Sequence, residues 1–296
     1  MDLIISTTQF SLNAISSQDE FWNRVEICIL KSKVKSADCI LFPEYFSLSW
    51  LLFKCRISGY GNLSFLEQLQ KANEFHDEFI NNFFELTMKH NICIVAGTYP
   101  VIMTDSSKKI VNRCYVFNPE DLKQTNQKFS FYQDKLNMTR FEDEVWKIKG
   151  GSPDITHFML KGFKIGIAIC YDIEFPSYCA EFVKDKVEVI LVPSCTEDIH
   201  GYWRVRYCAQ ARCIENQTYV VMSSIVGGHK DFPEINVHHG QGGIYTPCDI
   251  GYPPGGILEL GEENIEGVAV AKLGRKQLEH IRKNGTVLNL RDNLAN

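Results

Sequence analysis

The chain has 296 residues, of which 45% are hydrophobic, and its formal net charge is −5 at pH 7. This length allows a large core in one or two domains, and the lack of a block of consecutive Lys and Arg argues against nucleic acid as a partner. The first residues, MDLIISTTQF, contain no basic leader followed by an apolar stretch, so we expect a cytoplasmic protein.

Two further features bear on the cellular setting. The longest apolar run, 45–53, is interrupted by Ser47 and Ser49 and is shorter than the about 20 residues that cross a bilayer, so we predict no membrane partner. The eleven cysteines are odd in number and scattered, a pattern typical of reduced thiols in a core.

Short β-branched segments alternate with helical patterns along the chain, which indicates an α/β fold. A helix begins near Ser17, because Ser17 and Glu20 form a capping box, and a second long helix is predicted over 65–90. About eleven strands are predicted, over 3–8, 39–43, 92–97, 113–117, 128–132, 157–160, 163–169, 187–192, 219–224, 242–246 and 267–273. No linker or repeat divides the chain, so we predict one domain over 1–283 and a C-terminal tail over 284–296.

Three residues stand where a strand ends and could carry chemistry. Cys170 follows the apolar strand 163–169 and precedes a helical segment, a turn that can expose a nucleophile, although any one of eleven cysteines is more often a core residue. Glu44 follows a buried strand, where partial desolvation would raise the pKa of its carboxyl, and it could equally be an ordinary loop residue. Lys135 follows an aromatic strand, and its spacing alone does not separate it from a solvated lysine.

Together these segments resemble the three ordered motifs of the nitrilase-like carbon-nitrogen hydrolase superfamily. The similar segments are Leu41-Phe-Pro-Glu44, Asp134-Lys135-Leu with Thr-Arg-Phe-Glu142 downstream, and Gly166-Ile-Ala-Ile-Cys170-Tyr-Asp. The resemblance covers nearly the whole chain, and the residues after Cys170 are most similar to the amidase-type branches. One departure is Asn137, where many members have His.

The resemblance implies a four-layer α-β-β-α sandwich with two mixed sheets, assembled as a homodimer or a larger homo-oligomer. It implies that Cys170 is the nucleophile, that Glu44 is the general base and acid, and that Lys135 stabilises charge. A second active-site glutamate is expected at Glu142, with Glu144 as the rival by spacing. The backbone N–H of Tyr171 is expected to bind the oxyanion.

The expected activity is hydrolysis of a small amide through a cysteine thioester, with release of ammonia or an amine. Nitrile or carbamoyl hydrolysis is the alternative, and a non-catalytic ligand-binding or assembly protein of the same fold is an alternative of another class. Neither the Cys and His spacing nor the glycine pattern fits a metal or nucleotide site, so no metal and no cofactor are expected.

The substrate pocket is predicted from residues that follow the active strand ends. Its candidate walls are Tyr45, Tyr171, Cys195, Thr196 and Trp203. Trp203, Tyr207, Ala211 and Ile214 recur on one helical face, so a core or dimer-interface position is also open for Trp203. Arg204, Arg206 and Arg212 could bind a substrate carboxylate or pair at the surface.

Overall fold

Twelve strands form one sheet within residues 2–295, the part of the chain that the computed structural model describes. The strands are β1 (Asp2–Ser11), β2 (Cys39–Leu41), β3 (Cys93–Ile102), β4 (Ile110–Phe117), β5 (Phe131–Asp134), β6 (His157–Leu160), β7 (Phe163–Ile167), β8 (Val189–Ser194), β9 (Tyr219–Val226), β10 (Gly243–Tyr245), β11 (Ile257–Leu260) and β12 (Gly267–Gly274).

Helices surround this sheet. The α-helices of the described residues are α1 (Gln18–Val34), α2 (Leu48–Cys55), α3 (Phe65–Leu69), α4 (Ala72–His90), α5 (Pro119–Leu122), α6 (Arg140–Glu144), α7 (Pro176–Lys184), α8 (Ile199–Glu215), α9 (Arg275–Asn284) and α10 (Asn289–Ala295). Helix α1 begins where predicted, because the Ser17 side chain accepts a hydrogen bond from the Glu20 backbone N–H.

The sheet has two halves that β1 joins. The strand order is β5-β4-β3-β2-β1-β9-β8-β7-β6, with β10 beside β9 and β12 beside β1. Strand β1 pairs in parallel with β2 through residues 5–7 and with β9 through residues 9–11, so one strand passes from the first half to the second. The two expected mixed sheets are therefore connected by hydrogen bonds at β1.

Successive side chains in the first half of the sheet pack alternately into two separate hydrophobic cores. Cys39, Leu41, Cys93 and Val95 pack in one core with the apolar residues of β7, β8 and β9, and with those of α7 and α8. Their neighbours in sequence, such as Ile40 and Ile94, pack in the other core against α1, α2 and α4. The period of two in a strand thus gives a helix layer, two sheet layers and a second helix layer, and the predicted four-layer sandwich is confirmed.

Three features of the fold differ from the sequence-based predictions. The predicted helix over 65–90 is two helices, because Ser64 and Glu67 form a capping box that starts α3 and the chain turns at 70–71 before α4 begins. Strand β11 was not predicted, since its four residues are only half-buried or exposed and give no clear apolar pattern. Helix α2 occupies the apolar run considered above only for a membrane span.

The C-terminal residues pack against the same chain. The Gln217 side chain donates to the backbone oxygens of Ile281 and Val287 and accepts from the backbone N–H of Leu290, whose side chain is buried. Helix α10 contacts α7 and α8. Among the helices of residues 2–295, none combines the length and apolar character needed to cross a membrane.

Candidate active site

The residues predicted from strand ends lie together. Glu44 follows β2, Lys135 follows β5, Cys170 follows β7 after two extended residues, and Glu142 lies in the short helix α6. All four side chains are buried, with at most 4% of each residue exposed. Charged groups with so little solvent must find partners within the protein.

Lys135 lies between the two glutamates. Its Nζ atom donates to Glu44 Oε1 at 2.8 Å and to Glu142 Oε1 and Oε2 at 2.8 and 2.7 Å. Burial disfavours the charged amine, but the Glu142 and Glu44 carboxylates outweigh it, so the pKa of Lys135 lies well above its usual value. Lys135 is therefore a fixed ammonium ion at neutral pH.

Glu142 accepts hydrogen bonds from other residues in addition to its ion pair with Lys135. Oε2 accepts hydrogen bonds from the backbone N–H and the hydroxyl of Thr139, both at 2.9 Å, and Oε1 accepts one from the Tyr45 hydroxyl at 2.7 Å. Burial raises the pKa of Glu142, but Lys135 and these hydrogen bonds lower it further, so Glu142 remains a carboxylate. Glu144, the rival by spacing, is exposed and pairs with Arg140.

The pKa of the Glu44 carboxyl is raised, whereas that of Glu142 is lowered. It accepts hydrogen bonds from Asn112 Nδ2 at 2.8 Å and from the Cys195 backbone N–H at 3.1 Å. Burial is nevertheless the largest influence, and with the negative charge of Glu142 it raises the pKa of Glu44 to about 7 although Lys135 lowers it. A carboxyl with this pKa can accept and donate protons near neutral pH.

Cys170 is held in a strained turn. Its φ angle is 48°, in the left-handed region that residues other than glycine rarely adopt. The Ser194 hydroxyl donates to its Sγ at 3.4 Å, and Sγ lies 3.6 Å from the Cys195 carbonyl oxygen. The thiol is also close enough to Glu44 for a hydrogen bond between them to lower the pKa of that carboxyl.

The protonation of Cys170 differs from the sequence-based expectation. Lys135 lowers the pKa of the thiol as expected, but burial and the nearby Glu44 carboxylate raise it by more. The thiol is thus the resting form, and it needs a base to become a nucleophile. Glu44 is the neighbouring group with a suitable pKa.

Asp172 connects the Cys170 turn to the Lys135 loop. Its Oδ1 atom accepts hydrogen bonds from the Asn137 backbone N–H at 2.8 Å and from Asn137 Nδ2 at 2.9 Å, and the Leu136 backbone N–H also donates to it. Burial raises the pKa of Asp172 to about 6. Asn137, the departure from the motif noted in the sequence, thus fixes the loop that carries Lys135.

A cavity of about 190 Å³ opens next to Cys170. Its walls include Tyr171, Cys195 and Thr196, three of the predicted substrate contacts. Tyr45 lies on an adjoining cavity of about 40 Å³ together with Glu44 and Lys135. Tyr171 is in a 3₁₀ turn, Cys170–Glu174, whose first N–H groups have no acceptor within the turn.

Trp203 is the predicted substrate contact that the structure does not place on either cavity. It is half-buried on the outer side of α8, where its ring stacks on that of Tyr207 with 5.2 Å between centroids. The buried side of α8 instead contains Tyr202, Val205 and Arg206. The apolar spacing left a core or dimer-interface position open for Trp203, and the residue is half-buried beside the exposed Tyr207.

The three candidate arginines of α8 have separate environments. Arg206 is buried and donates to the Tyr202 hydroxyl and to Gln241 Oε1, and Arg212 is buried and donates to the Ile173 carbonyl oxygen. The expectation of surface pairing is therefore wrong for Arg206, whereas Arg212 also forms an ion pair with the half-buried Glu215. Arg204 lines the Cys170 cavity and lies 3.5 Å from Glu174.

Sequence reasoning missed Asn112 and Ser194. Asn112 is a buried residue of β4 outside the three motifs, and Ser194 ends β8 in a segment, Val192-Pro-Ser194, that resembles a further family landmark but gave no role for its hydroxyl. A polar residue directly after the apolar pair Ile110 and Val111 was the available signal for Asn112. In residues 2–295 no group of three or more His, Cys, Asp or Glu side chains is arranged to hold a metal ion.

Comparisons with known proteins agree with this fold. The family model "Carbon-nitrogen hydrolase" matches residues 8–283, so the chain belongs to the carbon-nitrogen hydrolase family. The Bacillus subtilis protein "Probable hydrolase YhcX" is 34% identical over 295 residues, which cover 97% of this chain and 53% of that protein. The chain thus spans about half the length of this relative.

More distant relatives are named amidases. "Omega-amidase NIT2" of Xenopus tropicalis is 25% identical over 74% of this chain and 73% of its own length. The solved structure of the Nesterenkonia AN1 amidase has a TM-score of 0.71 at 14% identity, covering 98% of this chain and 93% of that one. Nit3 of Saccharomyces cerevisiae has a TM-score of 0.73 at 20% identity, covering 95% and 93%. At these identities the structures support the shared fold.

Proposed function

We propose that this chain hydrolyses the carbon-nitrogen bond of a small amide through a thioester on Cys170. The observation that carries the proposal is a buried ammonium, Lys135, held between two glutamates beside a buried thiol at a cavity. An amide needs a strong nucleophile, a proton shuttle and a cationic or N–H site for its oxyanion. These residues supply all three functions.

In the first half-reaction Glu44 accepts the thiol proton as the sulfur attacks the amide carbon. Lys135 and the Tyr171 backbone N–H stabilise the oxyanion of the tetrahedral intermediate. Glu44 then gives the proton to the leaving nitrogen, the carbon-nitrogen bond breaks, and ammonia or an amine departs. The acyl group remains on Cys170 as a thioester.

In the second half-reaction water attacks the thioester. Glu44 accepts a proton from the water, the carbon-sulfur bond breaks, and the proton returns to the sulfur. Glu142 acts by holding Lys135, since its carboxylate contacts the ammonium through both oxygens. The products are a carboxylic acid and the free enzyme.

The charges on the cavity favour a substrate without a negative group. Glu174, Glu197 and Asp198 line it, against the single cation Arg204, which lies beside Glu174. Repulsion by these carboxylates disfavours amides that carry a carboxylate, although relatives of this chain are named omega-amidases. We therefore propose a neutral or cationic small amide as the substrate.

The test is ammonia release from matched neutral, cationic and anionic amides, with nitriles and carbamoyl compounds included as alternatives. Wild type is expected to release ammonia from an amide and the Cys170→Ala variant to release none. Cys179→Ala is the matched control, because Cys179 is a buried cysteine of α7 that does not line the cavity, and it should affect only stability. Equal activity in Cys170→Ala would refute the mechanism.

A further inference from the structure

A second cavity of about 220 Å³ lies apart from Cys170. Its walls come from three parts of the chain: residues 14–15 before α1, helix α2 with the following segment to Gln68, and the loop 227–239 that follows β9. None of its lining residues belongs to the proposed catalytic group. The reaction proposed above gives this space no role.

Three side chains of the second cavity have buried polar atoms without a hydrogen-bond partner in residues 2–295. They are Ser49 Oγ, Gln68 Oε1 and His229 Nδ1, and the three residues are 0%, 1% and 5% exposed. Buried polar groups are nearly always hydrogen-bonded in folded proteins, so three such atoms in residues that line one cavity indicate a missing partner nearby. The volume of about 220 Å³ is large enough for a small ligand in place of several waters, each of which takes about 30 Å³ of liquid.

The same cavity has one residue of each charge. Arg56 and Asp231 both line it, and neither forms a salt bridge with any described residue. Arg56 makes one hydrogen bond, to the Ile15 carbonyl oxygen at 3.0 Å, which leaves other guanidinium N–H groups unused. Leu52, Phe53 and Phe232 form an apolar part of the wall of the same cavity.

We propose that the second cavity binds a free α-amino acid with an apolar side chain. The ligand carboxylate pairs with the Arg56 guanidinium, and its ammonium group pairs with Asp231 and donates to Gln68 Oε1. The apolar side chain lies against Leu52 and Phe53. Ser49 and His229 can each donate or accept, so they complete the hydrogen bonds of the charged groups.

The loop 227–239 connects this cavity to the proposed active site. His229 and Phe232 line the second cavity, whereas Glu234 and His238 line the small cavity that contains Glu44 and Lys135. Phe65 packs against one aromatic residue of each cavity. Its ring centroid lies 5.7 Å from that of Phe232 in the second cavity and 5.0 Å from that of Trp146 in the small cavity. A bound amino acid therefore restrains a loop that forms a wall of the active site.

The test is calorimetric titration of the full chain with L-leucine. Wild type is expected to bind one equivalent, whereas 4-methylpentanoate, which lacks the ammonium group, and 3-methylbutylamine, which lacks the carboxylate, should bind at least about tenfold more weakly. Arg56→Gln and Asp231→Asn should each weaken leucine binding by about tenfold or more. Arg140→Gln, which changes an exposed arginine outside the second cavity, should leave it unchanged.

Hydrogen exchange locates the ligand. Leucine should slow amide exchange in the loop 227–239 and in α2, and it should do so equally after Cys170 has been blocked by alkylation. Absence of binding at millimolar leucine, binding that survives both charge variants, or binding lost on alkylation of Cys170 would each overturn the proposal. None of these outcomes depends on amide hydrolysis, so failure of the leucine-binding proposal can be distinguished from failure of the function proposed above.

Discussion

The pKa values of Glu44 and Glu142 shift in opposite directions because both buried carboxylates share one buried cation, Lys135. A single positive charge cannot neutralise both, and low local polarity penalises the excess negative charge. Glu142 has the Thr139 and Tyr45 donors in addition to Lys135, so its pKa is lowered. A proton therefore binds more readily to Glu44, which is the carboxyl proposed to accept the thiol proton of Cys170.

A pH dependence follows from the pKa of Glu44, which burial raises to about 7. The proposed base acts as a carboxylate, so kcat/KM should fall about tenfold for each pH unit below that value and level off above it. Steady-state hydrolysis measured across neutral pH checks this. A profile that is flat through pH 7 would contradict the assignment of Glu44 as the base.

The two candidate second glutamates provide a matched pair of variants. Glu142→Gln removes one of the carboxylates that hold Lys135, and we expect a loss of about 100-fold in kcat, as small displacements of a catalytic group can cause. Glu144→Gln removes only an exposed partner of Arg140 and should retain activity. Similar losses in both variants would show that the position of Lys135 does not depend on Glu142.

At the scale of elements, the turn that presents Glu44 depends on the neighbouring strand. Gly97 in β3 has φ of 54°, and a Cβ atom there would lie 2.1 Å from the Pro43 carbonyl oxygen. The next residue, Thr98, accepts a hydrogen bond from the Tyr45 backbone N–H through its hydroxyl at 2.8 Å. The β3 backbone thus fixes the segment on both sides of Glu44.

Gly97→Ala should therefore damage both stability and activity. The left-handed φ angle and the overlap with Pro43 should lower the free energy of unfolding by about 2 to 5 kcal/mol. Gly267→Ala is the control, because a Cβ atom there meets nothing within 4 Å, and it should change stability by less than about 0.5 kcal/mol. Denaturant titration of both variants measures the difference, and equal stability would contradict the argument.

The elements that carry Glu44, Lys135 and Cys170 could be predicted because each residue follows a strand with a recognisable apolar pattern. Asn112 could not be predicted as a Glu44 partner, since their contact depends on the pairing of β2, β3 and β4 across 68 positions of sequence. The choice between a core and an interface position for the Trp203 face of α8 stayed open for a related reason. The buried face of α8 contains Arg206, which donates to the Tyr202 hydroxyl and to Gln241 from a distant segment. Apolar spacing does not predict a buried position for a charged residue.

At the scale of the whole molecule, that outer face of α8 bears on assembly. Tyr207 and Ile214 are 63% and 40% exposed, and Tyr207 stacks on the half-buried Trp203. Exposed aromatic and aliphatic side chains on one helix are typical of a protein interface. We predict that the chain forms a homodimer or a larger homo-oligomer through this face.

Light scattering tests the assembly. Wild type should have at least twice the mass of the chain at micromolar concentration, and Tyr207→Lys should shift it toward the monomer. Tyr132→Lys serves as a control, because Tyr132 is a similarly exposed tyrosine, 42% exposed, on β5 rather than α8. A monomeric wild type would contradict the prediction.

The central claim is that Cys170 forms an acyl thioester. The most direct measurement is the intact mass of the enzyme, quenched with acid during turnover of an amide that the ammonia assay identifies, followed by peptide mapping. The account predicts an increase equal to the acyl group, located on the peptide that contains Cys170 and absent from Cys170→Ala. An enzyme that turns over the amide with its acyl group on another residue, or with Cys170→Ala still active, would contradict it.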